Sequence, residues 1–172
     1  IPAPYWVSYP AMTQLAQGIP VPVRTSFEHS YRLTPEQLEE AITDKTRVLI
    51  LCSPSNPTGS CYSKQDLEGL AEVLRRYPNI SIISDEIYEY IVFDEEHISL
   101  LNVAPDLKDR VALINGFSKG FAMTGWRLGY LAGPEELVKA VGKIQSQETS
   151  APSSISQAAG FAAYSGKIGR AH

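Results

Sequence analysis

An apolar run, Val111-Ala112-Leu113-Ile114, leads directly into a polar turn, Asn115-Gly116-Phe117-Ser118-Lys119-Gly120. Continuous apolar runs of this kind are typical of strands that are buried on both faces of a parallel sheet. A second segment, Met123-Thr124-Gly125-Trp126-Arg127, follows closely and places an arginine eight residues after the lysine. The stretch therefore predicts a buried strand whose carboxyl end carries a lysine and an arginine.

Two more apolar runs upstream show the same pattern of a strand that ends in a polar turn. Residues 48–52 precede Ser55-Asn56-Pro57-Thr58-Gly59, and residues 80–83 precede Ser84-Asp85-Glu86-Ile87-Tyr88. Helical patterns separate the runs, and strands that alternate with helices predict an α/β fold. We therefore expect a mostly parallel sheet with helices on both faces, in a three-layer α/β/α arrangement.

Capping signals and apolar spacing place the other elements. Thr34, Pro35 and Gln37 form the pattern of a capped helix start, and Ser63 is the expected cap of another helix. The remaining expected elements are helices over 5–17, 35–42, 134–146 and after Pro152, and strands over 19–25 and 127–131. The strand over 19–25 contains two prolines, which places it near a sheet edge.

Composition limits the functional classes. The chain has 172 residues, 44% of them apolar and 20% charged, which is typical of one globular domain. We expect residues 1–165 to form a single α/β domain and residues 166–172 to be an irregular tail, either foreign to the native protein or a frayed terminus. A net charge of −4 without a basic stripe argues against nucleic acid, and no apolar run reaches membrane-spanning length. Two cysteines without CxxC spacing favour the reducing cytoplasm.

The polar residues that follow the strands are the candidate functional residues. Asn56, Asp85 and Lys119 each lie close to the end of a predicted strand. In a parallel sheet the carboxyl ends of the strands share one edge, and ligands bind in the crevice outside that edge. With Arg127, these groups supply an amide, an acid, an amine and a cation, which are the polar contacts that pyridoxal phosphate requires.

Lys119 is the candidate for attachment to the cofactor aldehyde. A protonated amine cannot attack an aldehyde, so this role requires partial desolvation or a neighbouring cation. Phe117, Phe121 and Trp126 are expected to form apolar walls around the amine, and Arg127 supplies a nearby positive charge. The alternative is a solvated surface lysine, which describes most lysines.

Asp85 is the candidate partner of the pyridine nitrogen, because a carboxylate there keeps the ring protonated and able to stabilise a carbanion. A cap of the following turn is the alternative. Tyr88 is expected to donate to the phenolic oxygen of the ring, although a plain core tyrosine explains it as well. Asn56 is a second donor to that oxygen and a candidate contact for a substrate carboxylate. On its own, its segment is only a turn signal.

Arg127 is the candidate phosphate ligand, because a guanidinium binds phosphate through two parallel hydrogen bonds. A structural ion pair is the alternative. Ser118 offers a hydroxyl to the same phosphate, unless it points away. Trp6 is a candidate for stacking on the pyridine face, and a core position is its alternative.

The sequence predicts no metal site and no nucleotide cradle. His29, His97 and His172 lack the spacing of metal ligands. The sequence also lacks a P-loop and a GxGxxG pattern. The acidic run over 94–96 is expected to be a solvated loop without a role.

Taken jointly, four segments resemble the class I aminotransferases of the aspartate aminotransferase family, which have fold type I and depend on pyridoxal phosphate. The segments are residues 4–10, 55–59, 84–88 and 115–130, in the family's order and approximate spacing. Residues 123–130 are similar to the bacterial branch that includes aspartate and prephenate aminotransferases. Four matches together are far more specific than any one of them.

The resemblance implies a role for each candidate residue. Lys119 forms a Schiff base with the cofactor and moves a proton between the substrate and the cofactor. The other contacts that the family implies are Asp85 at the pyridine nitrogen, Tyr88 and Asn56 at the ring oxygen, Arg127 and Ser118 at the phosphate, and Trp6 on the ring face. Trp6 and Asn56 also face the substrate. The family often has a cis bond in its Asn-Pro turn, so we expect one at Asn56–Pro57.

The resemblance covers residues 1–165 but less than half of a family enzyme. It implies transamination between an aspartate-like amino acid and a 2-oxo acid, carried out by a homodimer. The small domain that binds the substrate carboxylate lies outside the match, so we expect the isolated chain to transaminate poorly or not at all. Two other functions remain open: a pyridoxal-phosphate lyase or synthase of the same fold, and a non-catalytic sensor domain related to aminotransferases.

Overall fold

The structure is a computed structural model that describes residues 1–93 and 96–166. Its strands are β1 (Pro2–Ala3), β2 (Val23–Arg24), β3 (Val48–Cys52), β4 (Ser81–Asp85), β5 (Val111–Gly116) and β6 (Gly129–Ala132). Its α-helices are α1 (Ser8–Leu15), α2 (Pro35–Ala41), α3 (Lys64–Arg76), α4 (Leu100–Val103), α5 (Glu135–Glu148) and α6 (Ser154–Ser165). Short 3-10 helices span Phe27–His29, Pro105–Arg110 and Thr124–Trp126. Within the described ranges, no helix combines the length and apolar character needed to cross a membrane.

Four strands form the central sheet in the order β3-β4-β5-β6. The first three are parallel, and β6 runs antiparallel to β5. The carboxyl ends of β3, β4 and β5 therefore lie at one edge, as the alternation of strands and helices predicts. A separate small sheet joins β1 and β2 in parallel.

The hydrophobic core fills one face of the central sheet. Alternate strand residues, including Leu49, Leu51 and Ile82, belong to this core and are almost completely buried. The helix α3 covers them with the apolar residues Leu67, Leu70, Ala71 and Leu74, which recur at helical spacing. Capping boxes fix the helix starts on this face. The box of Thr34 and Gln37 for α2 was predicted, whereas for α3 only the cap Ser63 was predicted and its partner Asp66 was not.

The helix α1 lies over the opposite face. Its buried residue Tyr9 shares a small cavity with Ile50 and Cys52, which alternate along β3 with the core residues Leu49 and Leu51. Helices therefore cover both faces of the sheet, and the α/β fold agrees with the sequence-based prediction.

Several expected elements form with different ends. The strand expected over 19–25 shortens to β2, because the prolines within it lack the N–H group that a sheet ladder needs. The strand expected from 127 begins at Gly129, since Arg127 has a left-handed backbone with φ of 50°. No sequence pattern predicted α4 or the 3-10 helix Pro105–Arg110.

Two sequence-based expectations concern residues outside the described part. The acidic run includes residues 94–95, and the expected irregular tail includes residues 167–172. The division into one domain over 1–165 and a tail stays a prediction.

Candidate functional site

The polar residues that were predicted to converge follow three neighbouring strands. Asn56 comes after β3, Asp85 ends β4, and Lys119 comes after β5. Because these strands are adjacent and parallel, their carboxyl ends lie at the same edge of the sheet. This edge is the candidate functional site of the chain.

Asp85 is bound through both of its carboxylate oxygens. Tyr9 of α1 donates its hydroxyl to Oδ2 over 2.6 Å, and the backbone N–H of Ile87 donates to Oδ1 over 3.2 Å. The contact with Ile87 is the turn cap that the sequence left open as an alternative. The hydroxyl of Tyr9, which comes from α1, holds the other oxygen. The carboxylate therefore has a defined orientation.

The environment of Tyr9 keeps its hydroxyl in the donor form. Burial is the main cause that raises the pKa of Tyr9, and the nearby side chains of Cys52 and Asp85 raise it further. Cys52 pairs in register with Asp85 across β3 and β4, and burial raises the pKa of its thiol as well. The phenol therefore stays protonated at physiological pH and donates to the carboxylate.

Tyr88 connects the other two strand ends. The side-chain amide of Asn56 donates to the Tyr88 hydroxyl over 3.4 Å. The Nζ atom of Lys119 lies 5.6 Å from the centroid of the Tyr88 ring, within the range of a cation–π contact. Asn56, Tyr88 and Lys119 therefore form one cluster, and Asp85 lies three residues before Tyr88 in the same turn.

The turn that presents Asn56 has the expected cis bond at Asn56–Pro57. Ser53–Pro54 is also cis. Gly59 closes the turn by donating its N–H to the carbonyl of Ser55 over 2.8 Å, with a left-handed φ of 75° that favours glycine.

The turn that carries Lys119 packs closely against Tyr90 at Gly120. A Cβ atom at Gly120 would lie 2.6 Å from the Tyr90 ring, so a larger residue requires a shift there. Tyr90 also packs edge-on against Phe121, with ring centroids 5.3 Å apart. The turn after β5 is thus packed against the loop after β4, which carries Tyr88.

Lys119 is exposed, which corrects the expectation that aromatic walls enclose it. Phe117 and Phe121 lie 5.4 Å apart at their ring centroids, and both contact Tyr164 of α6. Trp126 is 44% exposed. The expectation is wrong because the two phenylalanines pack against Tyr164 of α6, a contact that no local sequence pattern predicts.

Arg127 is also exposed, and its guanidinium donates to the Thr124 carbonyl over 3.0 Å. Among the residues that the structure describes, no carboxylate forms an ion pair with it. Within the described residues, Arg127 therefore does not form the structural ion pair that was its alternative role. Its remaining N–H groups are available to an anion.

Trp6 lies at the surface beside this site. It is 40% exposed, so the alternative of a core tryptophan is wrong. Its ring meets the Tyr9 ring edge-on, with centroids 5.5 Å apart. Trp6 therefore contacts the residue that holds Asp85. Ser118 is half-buried, next to Lys119 in sequence.

An open cavity of about 460 Å³ borders the cluster. Asn56 and Tyr88 line it together with Arg32. Lys119 and Arg127 are not among its lining residues, so this cavity does not enclose all the candidate groups. The site in this chain is an open edge of the sheet.

The sequence analysis missed two residues of the site. It placed Tyr9 on a helix face and assigned it no contact with Asp85. The spacing of three residues between Trp6 and Tyr9 predicts that their two rings meet, but it carries no information about a contact of Tyr9 with Asp85. It also assigned no role to Glu86, which is 3% exposed. No pattern in the sequence distinguishes this buried glutamate from a surface one.

The groups at the sheet edge fit pyridoxal phosphate by their chemistry. Lys119 offers an amine, Asp85 offers a carboxylate of fixed orientation, and Arg127 offers N–H donors. The Asn56 amide and the Tyr88 hydroxyl lie together and supply donors for a ring oxygen. Fold and site thus define an α/β protein with a lysine, an aspartate and an arginine at the carboxyl edge of a parallel sheet.

The chain belongs to the class I and II aminotransferase family, because the model of the family described as "Aminotransferase class I and II" matches residues 1–171. A probable aspartate/prephenate aminotransferase of Rickettsia typhi is 53% identical over 167 residues, which is 96% of this chain and 42% of the relative. A bifunctional aspartate aminotransferase and glutamate/aspartate-prephenate aminotransferase of Petunia hybrida is 55% identical over 164 residues, or 95% of this chain and 34% of the relative.

Solved structures agree with this assignment. The aspartate aminotransferase from Rhizobium meliloti superposes with a TM-score of 0.95 at 47% identity, covering 97% of this chain and 42% of that one. The aromatic aminotransferase from Pyrococcus horikoshii superposes with a TM-score of 0.92 at 40% identity, covering 96% and 44%. The chain spans less than half the length of these relatives.

Proposed function

We propose that this chain forms the cofactor-binding part of a pyridoxal-phosphate-dependent aminotransferase that exchanges an amino group between an aspartate-like amino acid and a 2-oxo acid. Family membership supports the reaction class, and the names of the relatives support the substrate class. The cluster of Asn56, Tyr88 and Lys119 beside Asp85 is the observation that carries the proposal.

When bound, pyridoxal phosphate supplies an electron sink that stabilises negative charge at the α-carbon of an amino acid. Asp85 provides a fixed negative charge for the pyridine nitrogen, because Tyr9 and the Ile87 N–H hold both of its oxygens. A carboxylate that is already oriented does not have to reorganise when the cofactor binds.

Lys119 is the proposed catalytic residue. Lys119 is an exposed residue, so it is accessible to an aldehyde, and its Nζ atom lies 5.6 Å from the centroid of the Tyr88 ring. With pyridoxal phosphate and an amino acid bound, the free amine of Lys119 would be the group that takes the proton from the substrate α-carbon. The Tyr88 hydroxyl and the Asn56 amide, which lie together, would hold the ring oxygen of the cofactor.

Arg127 and Ser118 are the proposed phosphate ligands, and Trp6 and Asn56 are proposed to contact the substrate. Arg127 supports this role because it lacks an ion-pair partner in the described ranges. We also propose, from the resemblance alone, that the whole protein is a cytoplasmic homodimer. Poor transamination by the isolated chain remains a prediction.

Titration with pyridoxal phosphate tests the proposal. The chain is expected to develop a visible absorbance band, and Lys119→Ala is expected to lose it. Lys143→Ala, which removes an exposed lysine of α5, is the matched control and is expected to keep the band. An equal band in Lys119→Ala would count against the proposal. Conversion of the band by aspartate separates a transferase from a protein that only binds the cofactor.

A further inference from the structure

A buried glutamate lies between the two residues that the site uses on β4 and its loop. Glu86 directly follows Asp85 and precedes Tyr88 by two positions, and it is 3% exposed. Its side chain shares the sheet face of Ser84, two residues earlier, because Ser84 Oγ donates to Glu86 Oε1 over 2.9 Å. Asp85 lies between them in the strand and projects to the other face.

Two residues at the far end of the loop reach the same carboxylate. Ser99 Oγ donates to Glu86 Oε1 over 2.7 Å, and Nε2 of His97 lies 2.9 Å from Glu86 Oε2. The His97 side chain is only 10% exposed, and that of Glu86 only 4%. The carboxylate of Glu86 therefore connects the two ends of the loop between β4 and α4, which begins at Glu86, carries Tyr88 and ends at Ser99.

Backbone hydrogen bonds also connect Glu86 to β5 and to the loop that carries Tyr88. The N–H of Glu86 donates to the carbonyl of Ile114 over 2.9 Å, which continues the ladder between β4 and β5. The N–H of Glu89 donates to the carbonyl of Glu86 over 2.9 Å, and the N–H of Ile91 donates to the carbonyl of Tyr88 over 2.8 Å. A change in the position of Glu86 therefore moves Asp85 and Tyr88 together.

We propose that Glu86, bound by Ser84, His97 and Ser99, is a positioning residue for the cofactor contacts Asp85 and Tyr88. A buried carboxylate is stable only when its oxygens are hydrogen-bonded, so the three donors and the carboxylate hold one another in place. This inference rests on the proposed function for the identity of the cofactor. The hydrogen bonds of Glu86 with Ser84, His97 and Ser99 do not themselves involve any cofactor.

A bound cation is the competing explanation of the cluster. Oxygens of Glu86 and Glu89 and a ring nitrogen of His97 lie within 4.8 Å of one another. Both oxygens of Glu86 are already engaged, however, by two hydroxyl donors and by His97. Hydrogen bonds thus account for the burial of Glu86 without a metal, and the positioning role uses each of these three hydrogen bonds.

Hydrogen exchange in the cofactor-free chain tests the proposal. In Glu86→Ala the backbone N–H groups of Glu89 and Ile91 are expected to exchange about tenfold faster, because the loop loses its anchor. The N–H of Leu70 in the buried helix α3 is expected to keep its rate. Glu136→Ala, an exposed glutamate on α5, is the matched control and is expected to change neither region.

His97 provides a milder pair of variants that does not depend on the folding of Glu86→Ala. His97→Ala is expected to accelerate exchange at the same loop groups, and His97→Gln is expected to restore protection, since its side-chain amide can donate to Glu86. Ser99 is less informative, because its hydroxyl also caps α4. Unchanged loop exchange in His97→Ala, or an equal rise in α3 and the loop, would overturn the proposal.

Cofactor binding provides the second readout. The affinity of Glu86→Ala for pyridoxal phosphate is expected to fall about tenfold, and that of Glu136→Ala is expected to stay at the wild-type value. If the wild-type chain takes up no cofactor, the proposed function fails while the exchange measurement still decides the positioning role. Protection of the wild-type loop that requires added Zn²⁺ would favour the cation and overturn the proposal.

Discussion

The hydroxyl of Tyr9 donates to Oδ2 of Asp85 over 2.6 Å and joins two residues that are 76 positions apart in sequence. This contact ties α1, on one face of the sheet, to the carboxyl end of β4. It also leaves Asp85 with a set orientation before any ligand binds, because Ile87 holds its other oxygen. The acid of the proposed cofactor site is therefore preorganised by residues of this chain.

Tyr9→Phe is predicted to lower the free energy of unfolding by about 1.5–3 kcal/mol, since it removes a hydrogen bond to a carboxylate. The affinity for pyridoxal phosphate is expected to fall in parallel, because Asp85 loses its orientation. Chemical denaturation and cofactor titration measure the two effects. Tyr164→Phe is the control: its hydroxyl donates to Tyr130 in an exposed neutral pair, and its loss is expected to cost less than about 1 kcal/mol. Equal losses in the two variants would contradict the prediction.

Arg127→Lys is predicted to weaken pyridoxal phosphate binding about tenfold, because an ammonium cannot form the bidentate contact of a guanidinium. Pyridoxal, which has no phosphate, is expected to bind the variant and the wild-type chain equally. Arg47→Lys, at an exposed arginine that donates to backbone carbonyls, is the matched control and is expected to leave both affinities unchanged. Weaker binding of both pyridoxal and its phosphate by Arg127→Lys would show that Arg127 acts on something other than the phosphate.

Glu89→Gln is predicted to make the chain more stable relative to wild type as the pH rises. Burial is the main cause that raises the pKa of Glu89, and His97 opposes it. An acid with a raised pKa in the folded state contributes stability below its unfolded pKa of about 4.3 and loses it as the pH rises through the folded value. Unfolding free energies of both chains between about pH 4 and pH 7 measure the difference. If the stability of Glu89→Gln relative to wild type instead falls as the pH rises, the attraction of Glu89 by His97 has a larger effect on the pKa of Glu89 than its burial.

Arg110 is predicted to be a large contributor to stability outside the site. Its guanidinium donates to the carbonyls of Leu74, Tyr77 and Ile80, at distances of 2.6, 2.9 and 2.9 Å. These carbonyls lie at and after the end of α3, where the partners four residues on in a continuing helix are missing, although those of Leu74 and Tyr77 also accept the N–H groups of Tyr77 and Ile80. Arg110→Met is expected to lower the free energy of unfolding by about 2–3 kcal/mol. Arg47→Met serves as the exposed control, and a comparable loss there would contradict the prediction.

Local signals in the sequence were enough to predict the frame of the fold. The strand β3 has the predicted ends, the predicted capping box of Thr34 and Gln37 forms, and Ser63 caps α3, because each feature depends only on residues within a few positions of one another. The candidate residues Asn56, Asp85 and Lys119 follow from the same reasoning, since parallel strands place their ends together.

Long-range contacts explain what the sequence did not predict. The exposure of Lys119 follows from the packing of Phe117 and Phe121 against α6, far along the chain. The contacts of Glu86 with His97 and Ser99 depend likewise on how the loop after β4 returns to the sheet. Apolar spacing carries no information about which side chains meet in this way.

The identity of the lysine that captures the cofactor is the most direct test of the account. The chain is mixed with pyridoxal phosphate, reduced with borohydride and digested, and the modified peptide is located by mass spectrometry. The account predicts one dominant label at Lys119. A label at another lysine, such as Lys143 on α5, a label spread over the surface lysines, or no label at all would contradict it.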